Sequence, residues 1–254
     1  MFGSKTSIVK AVEDVSFSLH NDEVLVIAGE SGSGKSTIAK LILGAITPDS
    51  GKVIFQGEEI KNNTNSLMRI RMHCQMVHQD PYDSINPRMK VRDIVSEPLE
   101  IHNISRDSER EKIVLDTLRE VKLEPAEEIA NKYPHMLSGG QRQRVVLARA
   151  LILRPKIIIA DEPVSMLDVS IRAEVLELMK TIQKKNNISF IYITHDLATA
   201  RYFGQKIIIL YLGKIMESGS INQVLLEPRH PYTQALIDAI SEPDPDNLYK
   251  EKII

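Results

Sequence analysis

Apolar positions fall in two patterns that alternate along the chain: short unbroken runs, and stripes repeating every three to four residues. Residues 23–28 (Glu-Val-Leu-Val-Ile-Ala) are a run, β-branched at Val24, Val26 and Ile27, as expected for a buried parallel strand. Ile38, Leu41 and Ile42 then follow at helical spacing. Upstream, residues 8–19 nearly alternate and predict a half-buried strand with Phe17 in the core, and Asn21-Asp22 makes the turn out of it. Residues 47–51 read as a turn, residues 53–55 as a strand, Gln56-Gly57-Glu58 as the next turn and residues 62–65 as a polar loop. Residues 72–77 predict another strand, which leads into residues 79–87, where two prolines argue against regular structure.

From residue 91 to about 153 the period becomes helical; Ser105 can cap a helix in which Val114, Leu118 and Val121 share a face. Residues 156–161 return to an apolar run. Ile171, Val175, Leu178, Met179 and Ile182 define a helix face that Asn186-Asn187 ends, and residues 188–194 form a strand. Strands alternating with helices imply a doubly wound α/β core. That core takes residues 1–80 and 156–228, with a helical lobe at 81–155 and a C-terminal tail at 229–254, all in one domain of 254 residues.

The loop after the first buried strand carries the chemistry. Gly29-Glu30-Ser31-Gly32-Ser33-Gly34-Lys35-Ser36 fits the phosphate-cradle pattern G-x-x-x-x-G-K-[ST] at every fixed position, with a strand before it and a helix after. Glycines let successive N–H groups turn inward toward phosphate oxygens, and the helix opening at Ser36 and Thr37 points its positive end at the same anion. In such a loop Lys35 reaches the β- and γ-phosphates and the Ser36 hydroxyl ligates Mg²⁺. The bland reading is a glycine-rich turn without a ligand; the flanking strand and helix favour the binding of ATP or another nucleoside triphosphate. Asp161 and Glu162 close a second apolar strand, at the edge where open α/β sheets bind ligands. Taken alone they are a polar strand end. With the phosphate loop upstream, Asp161 is placed to hold Mg²⁺ and Glu162 to polarise an attacking water. Leu137-Ser138-Gly139-Gly140-Gln141 opens a further helix that Pro155 ends, and offers a second anion site for which the chain's own phosphate loop has no need.

Composition narrows the setting. The 43% apolar and 26% charged content is that of an ordinary globular protein, and a net charge of −2 gives no nucleic-acid footprint. One cysteine, Cys74, excludes an internal disulfide or a multi-cysteine metal site and favours a reducing cytosol. The longest apolar stretches, such as residues 207–212, fall far short of the roughly 18 residues that span a bilayer. No apolar core follows Lys5, so no signal peptide is expected, and any membrane role needs a partner that supplies the spanning helices.

The pentapeptide at 137–141, together with the phosphate loop, resembles the signature of ATP-binding cassette (ABC) proteins, and the resemblance covers residues 8 to about 240. It implies the ABC ATPase fold, a P-loop NTPase (RecA-like) core with a mostly helical signature subdomain. It further implies that Gln79 senses Mg²⁺ and the attacking water and touches a transmembrane partner, that Asp168 lies at a dimer seam, and that His195 contacts the γ-phosphate. On this reading Glu162, His195, Gln79 and Lys35 are catalytic, and Ser36, Gln79 and Asp161 attend the metal. The nucleotide lies between residues 29–37 of one cassette and Ser138, Gly139, Gly140, Gln141 and Asp168 of another.

Residues 79–89 and His230-Pro231-Tyr232-Thr233-Gln234-Ala235-Leu236 resemble the oligopeptide, dipeptide and nickel importer ATPases. That subgroup implies an importer energised at the cytoplasmic face of the membrane. The partners implied are a second ATPase subunit, identical or distinct, two transmembrane permease subunits and, indirectly, an extracellular solute-binding protein. Val164-Ser165-Met166 departs from the Thr-Ser-Ala often seen after the glutamate. The strand and adenine-stacking aromatic with which such cassettes usually begin are also expected to be missing, leaving only Phe2 and Phe17 before the phosphate loop and predicting weak, poorly base-selective nucleotide binding. The rivals are a non-transport ABC ATPase, which needs a long coiled coil or a second cassette, a degenerate regulatory cassette, and a P-loop kinase. Glu162, His195 and the intact pentapeptide favour the transport ATPase.

Overall fold

A computed structural model describes residues 10–104 and 107–239. In chain order, β1 (Val24–Ala28) passes through the 29–34 loop into α1 (Lys35–Ile42), followed by β2 (Ile54–Phe55), β3 (Glu58–Glu59), α2 (Thr64–His73) and β4 (Cys74–Val77). The helical stretch contains α3 (Pro81–Ser84), α4 (Val91–Ile101), α5 (Asp107–Glu120), α6 (Ala126–Asn131), a 3₁₀ turn at Pro134–Met136 and α7 (Gly139–Leu151). Then come β5 (Ile157–Asp161), α8 (Val169–Asn186), β6 (Ser189–Thr194), α9 (Leu197–Phe203), β7 (Lys206–Tyr211), β8 (Lys214–Ser220), α10 (Ile221–Leu226) and α11 (Pro231–Asp238).

The main sheet has the order β4-β5-β6-β1-β7-β8, parallel from β4 to β7 and closed by the antiparallel β8. Because side chains alternate across a strand, a run apolar throughout must be covered on both faces. Val24, Val26 and Ala28 accordingly join a core under the helices α4 to α9, while Ile27, Ile159, Ile191 and Ile193 face a second core with Ile38 of α1 and Ile70 of α2. On the first face, the Phe203 ring of α9 meets Phe190 and Tyr192 edge-on, at 5.2 and 5.3 Å. Register decides where the site falls. Ala28 pairs with Thr194, and Asp161 with Ile193, so β1, β5 and β6 end together and release their loops at one edge.

The doubly wound α/β reading holds, and Val114, Leu118 and Val121 are buried together as their spacing predicts. Several local expectations do not hold. Residues 10–19 form no strand, and Phe17 is 36% exposed rather than core. Val12, Val15 and Leu19 all turn inward, which the left-handed backbone of Asp14 (φ 53) between them allows and a regular strand would not; a ladder also needs a free neighbour, and the β2–β3 hairpin pairs only with itself. The polar stretch at 62–65 begins a helix, α2, because the Asn63 side chain accepts from the Ser66 N–H at 2.9 Å and caps it. Met72 therefore belongs to α2, and the strand starts at Cys74. Pro81 opens α3, at the one helical position where a missing N–H has no cost. Phe2, the cap assigned to Ser105 and most of the tail expected at 229–254 lie outside the described residues.

Cys74 is 1% exposed at the first position of β4, and burial pushes its thiol pKa up to about 12. A disulfide reagent at pH 8 is expected to leave the folded protein unmodified and to react fully once denaturant is added. Rapid labelling of native protein would show that β4 opens readily.

Candidate functional site

The phosphate loop is shaped by what lies beneath it. Gly29 has φ 152, and a Cβ there would stand 2.1 Å from the Leu210 carbonyl oxygen of β7, so only glycine lets the loop leave β1 over its neighbour. The Lys35 side chain folds back into the loop and donates to the carbonyls of Gly29 and Glu30, both at 2.7 Å. Burial lowers the Lys35 pKa, against the opposing pull of Glu162, Asp161 and Glu30. Gly34, at the N-cap of α1, supplies no side-chain cap, so the first-turn N–H groups are left for another acceptor. Ser31, Gly32 and Ser36 are exposed along this rim, Ser33 is buried, and Thr37 is half-buried in the first turn of α1.

At the end of β5, Asp161 accepts from the Ser36 hydroxyl at 2.9 Å, which ties that strand to α1. Burial raises the Asp161 pKa; the Ser36 bond opposes this and the adjacent Glu162 carboxylate reinforces it. Glu162 turns out of the strand with φ 47, a left-handed conformation rare for a residue with a Cβ, while its N–H donates to the Ile193 carbonyl at 2.9 Å. One Glu162 oxygen lies 2.8 Å from Nδ1 of His195, and the other accepts from Nε2 of Gln79 at 3.1 Å. Loops from β4, β5 and β6 thus meet at one carboxylate beside Lys35. A cleft of about 220 Å³ adjoins it, reaching past Tyr192 to Arg172 and Asp196.

The pentapeptide lies on other elements. Ser138 and Gln141 form a reciprocal capping box at the start of α7: the Ser138 hydroxyl accepts from the Gln141 N–H at 3.2 Å, and the Gln141 side chain accepts from the Ser138 N–H at 3.0 Å. A Cβ on Gly140 would come within 2.6 Å of Ile171 on α8, so packing alone requires glycine there; Gly139 lies near Leu167 under no such pressure. Asp168 occupies the N-cap of α8, exposed and making no side-chain cap. Gln79, Lys35, Ser36, Asp161, Glu162 and His195 therefore gather in one place, while residues 138–141 and Asp168 form a second group around the α7–α8 contact and line no part of the cleft. Sequence reasoning passed over Arg172, which donates to the Leu167 carbonyl at 3.3 Å and to Asp196 at 3.1 Å. Asp196 in turn caps α9 immediately after His195. Asp196 carried a readable cap signal, whereas nothing in the local pattern marks Arg172.

The combination of phosphate loop, strand-end acids and helix-opening pentapeptide on this sheet defines a nucleotide-hydrolysing cassette. The chain belongs to the ABC transporter family, whose profile it matches over residues 12–165, and residues 216–254 match the oligopeptide/dipeptide transporter C-terminal region. It is 44% identical over 245 residues to a probable peptide ABC transporter ATP-binding protein of Sinorhizobium fredii, spanning 96% of this chain and 69% of that one. It is 45% identical over 242 residues to the oligopeptide transport ATP-binding protein AppF of Bacillus subtilis, spanning 94% and 73%. Among solved structures it resembles cbiO1 of Clostridium perfringens (TM-score 0.78, 28% identity, 85% of this chain and 84% of that one). It also resembles the dimeric cassette MJ0796 bound to ADP and Pi (TM-score 0.75, 30% identity, 87% and 94%). The fold is that of the ABC ATPases and the chain is an ATPase.

The raised Asp161 pKa has a consequence for the nucleotide-free protein. A carboxyl whose folded pKa lies above its unfolded value favours the folded state only while protonated, below the unfolded pKa, and that contribution is lost as pH rises through the folded pKa. Asp161→Asn is expected to raise the Tm at pH 8 and to lose that gain as pH falls through the raised folded pKa toward the unfolded value of about 4. Melting curves at the two pH values check it; a lower Tm at pH 8 would mean that Asp161 stabilises the empty site.

Proposed function

We propose that the cluster around Glu162 is the hydrolytic centre of an ABC importer subunit and that the pentapeptide at 137–141 serves the nucleotide held by a second cassette. The observation that carries this reading is the Glu162 carboxylate, held between Gln79 and His195 and adjacent to Lys35, Ser36 and Asp161. The first-turn N–H groups of α1 and the Lys35 ammonium, which lies within the loop, bind the triphosphate. Ser36 and Asp161 set two hard oxygen donors side by side, which suits Mg²⁺, a cation that clamps phosphate oxygens and offsets their charge when bound. Glu162 accepts a proton from the attacking water, and Gln79 and His195 hold its two oxygens in place for that role.

The separation of residues 138–141 and Asp168 from this centre supports their use in trans, as does the dimeric form of the MJ0796 cassette. Met166 and Val169, 62% and 80% exposed on either side of Asp168, give that seam apolar surface to cover. Residues 81–155 act as a lobe that carries the pentapeptide, and the loop after Gln79 carries its motion to permease subunits. Among the described residues no helix is long and apolar enough to cross a membrane, so partners supply that path and hold the chain at the membrane's cytoplasmic face. Relatives named for oligopeptide and peptide transport, together with the C-terminal match, support a peptide as the imported solute, moved through two permease subunits and an external solute-binding protein.

Glu162→Gln keeps the shape of the side chain while removing its basicity; hydrolysis is expected to fall on the order of 10²-fold or more with ATP binding intact. Near-normal turnover would place the base elsewhere. Ser138→Arg puts a cation at a helix N-terminus that already carries partial positive charge. The isolated chain is expected to keep its ATP affinity while ATP-dependent pairing, read by light scattering in the Glu162→Gln background, disappears. Lost binding in the unpaired chain would place Ser138 in the same nucleotide site as Lys35.

A further inference from the structure

The phosphate loop is braced from outside as well as from within. The tight turn between β7 and β8, with Leu212 at φ 44, aims the Gly213 N–H at the Ser33 carbonyl, 2.9 Å away. Tyr211, the last residue of β7, packs its ring on Tyr232 of α11 at 4.3 Å between centroids, the planes 34° apart. The Tyr232 hydroxyl is buried without a hydrogen-bond partner, so the contact with Tyr211 is made by the ring. Tyr232 is in turn fastened to the sheet. Glu217 of β8 accepts from the N–H groups of Arg229 at 2.9 Å and His230 at 3.0 Å, and Nδ1 of His230 accepts from the Tyr232 N–H at 3.1 Å. A carboxylate on β8 thus sets the start of α11, and α11 sets a ring against Tyr211, beside the turn that holds the loop.

We propose that Tyr232 is a positioning residue for the phosphate loop, holding Ser33 through Tyr211 and the β7–β8 turn in the form that accepts ATP and so linking the fold of the C-terminal region to nucleotide affinity. This rests on residues 29–36 being the ATP cradle. A loop whose N–H dipoles converge is open only while something outside supports it. Affinity scales with the fraction of molecules in which it is open. Linkage runs both ways, so bound ATP must also protect α11.

The test uses the full chain. Tyr232→Phe keeps the ring contact and is expected to fold and to bind Mg-ATP as the native chain does; Tyr232→Ala removes the ring, and Lys35→Ala is the control for the cradle. Calorimetry with Mg-ATP is expected to show Tyr232→Ala binding roughly two- to tenfold more weakly, the scale of one lost aromatic pair. The KM for ATP moves more than kcat. A merely structural role instead lowers kcat through the active fraction at unchanged KM. In the native chain, Mg-ATP is expected to slow hydrogen exchange in α11. Wild-type affinity in Tyr232→Ala, with binding lost in Lys35→Ala, overturns the inference alone. Unchanged binding in Lys35→Ala overturns the assignment of the cradle itself.

Discussion

The constraint on which the rest of the molecule depends is the common edge at which β1, β5 and β6 stop. Parallel pairing fixes it: once Ala28 lies beside Thr194 and Asp161 beside Ile193, the residues that follow have nowhere else to go. Strands apolar on both faces need cover on both, so α1 and α2 lie on one side and the helical stretch on the other, leaving the carboxyl ends as the open rim. Ser36 meets Asp161, and Gln79 and His195 meet Glu162, across 125, 83 and 33 residues of chain. Covering the sheet and assembling the site are one event.

That site concentrates negative charge. Asp161 and Glu162 are adjacent carboxylates, the first raised in pKa by burial, and Lys35 spends its ammonium on backbone carbonyls within its own loop. On the function proposed above, a nucleotide with a divalent cation gives Lys35 a charged acceptor and offsets the charge on Asp161. The loop lies close over the Leu210 carbonyl and is held at Ser33 by the Gly213 N–H.

Local signals in the sequence carried far. The phosphate loop, the acids after β5 and the helix opening at Ser138 were legible because each is written in a few consecutive residues whose backbone needs are strict. Signals failed where the deciding partner is remote. α2 buries only Ile70, so its weak apolar stripe hid behind a polar run that turned out to be its cap. Residues 10–19 have the alternation of a strand but no strand beside them. The packing of Gly140 against Ile171 has no local signal, and Arg172 and Tyr232 acquire meaning only from Asp196 and Tyr211, which lie 24 and 21 positions away.

The left-handed backbone of Glu162 bears on what selection must do to keep this protein working. A glycine there would relax the chain at no steric cost, and losing the carboxylate would also relieve its repulsion with Asp161. On the role proposed for Glu162, turnover keeps in place a backbone conformation and a charge that the fold by itself would not choose. A lineage released from the need to hydrolyse ATP would weigh that relief against the bonds to Gln79 and His195, and position 162 would be free to drift.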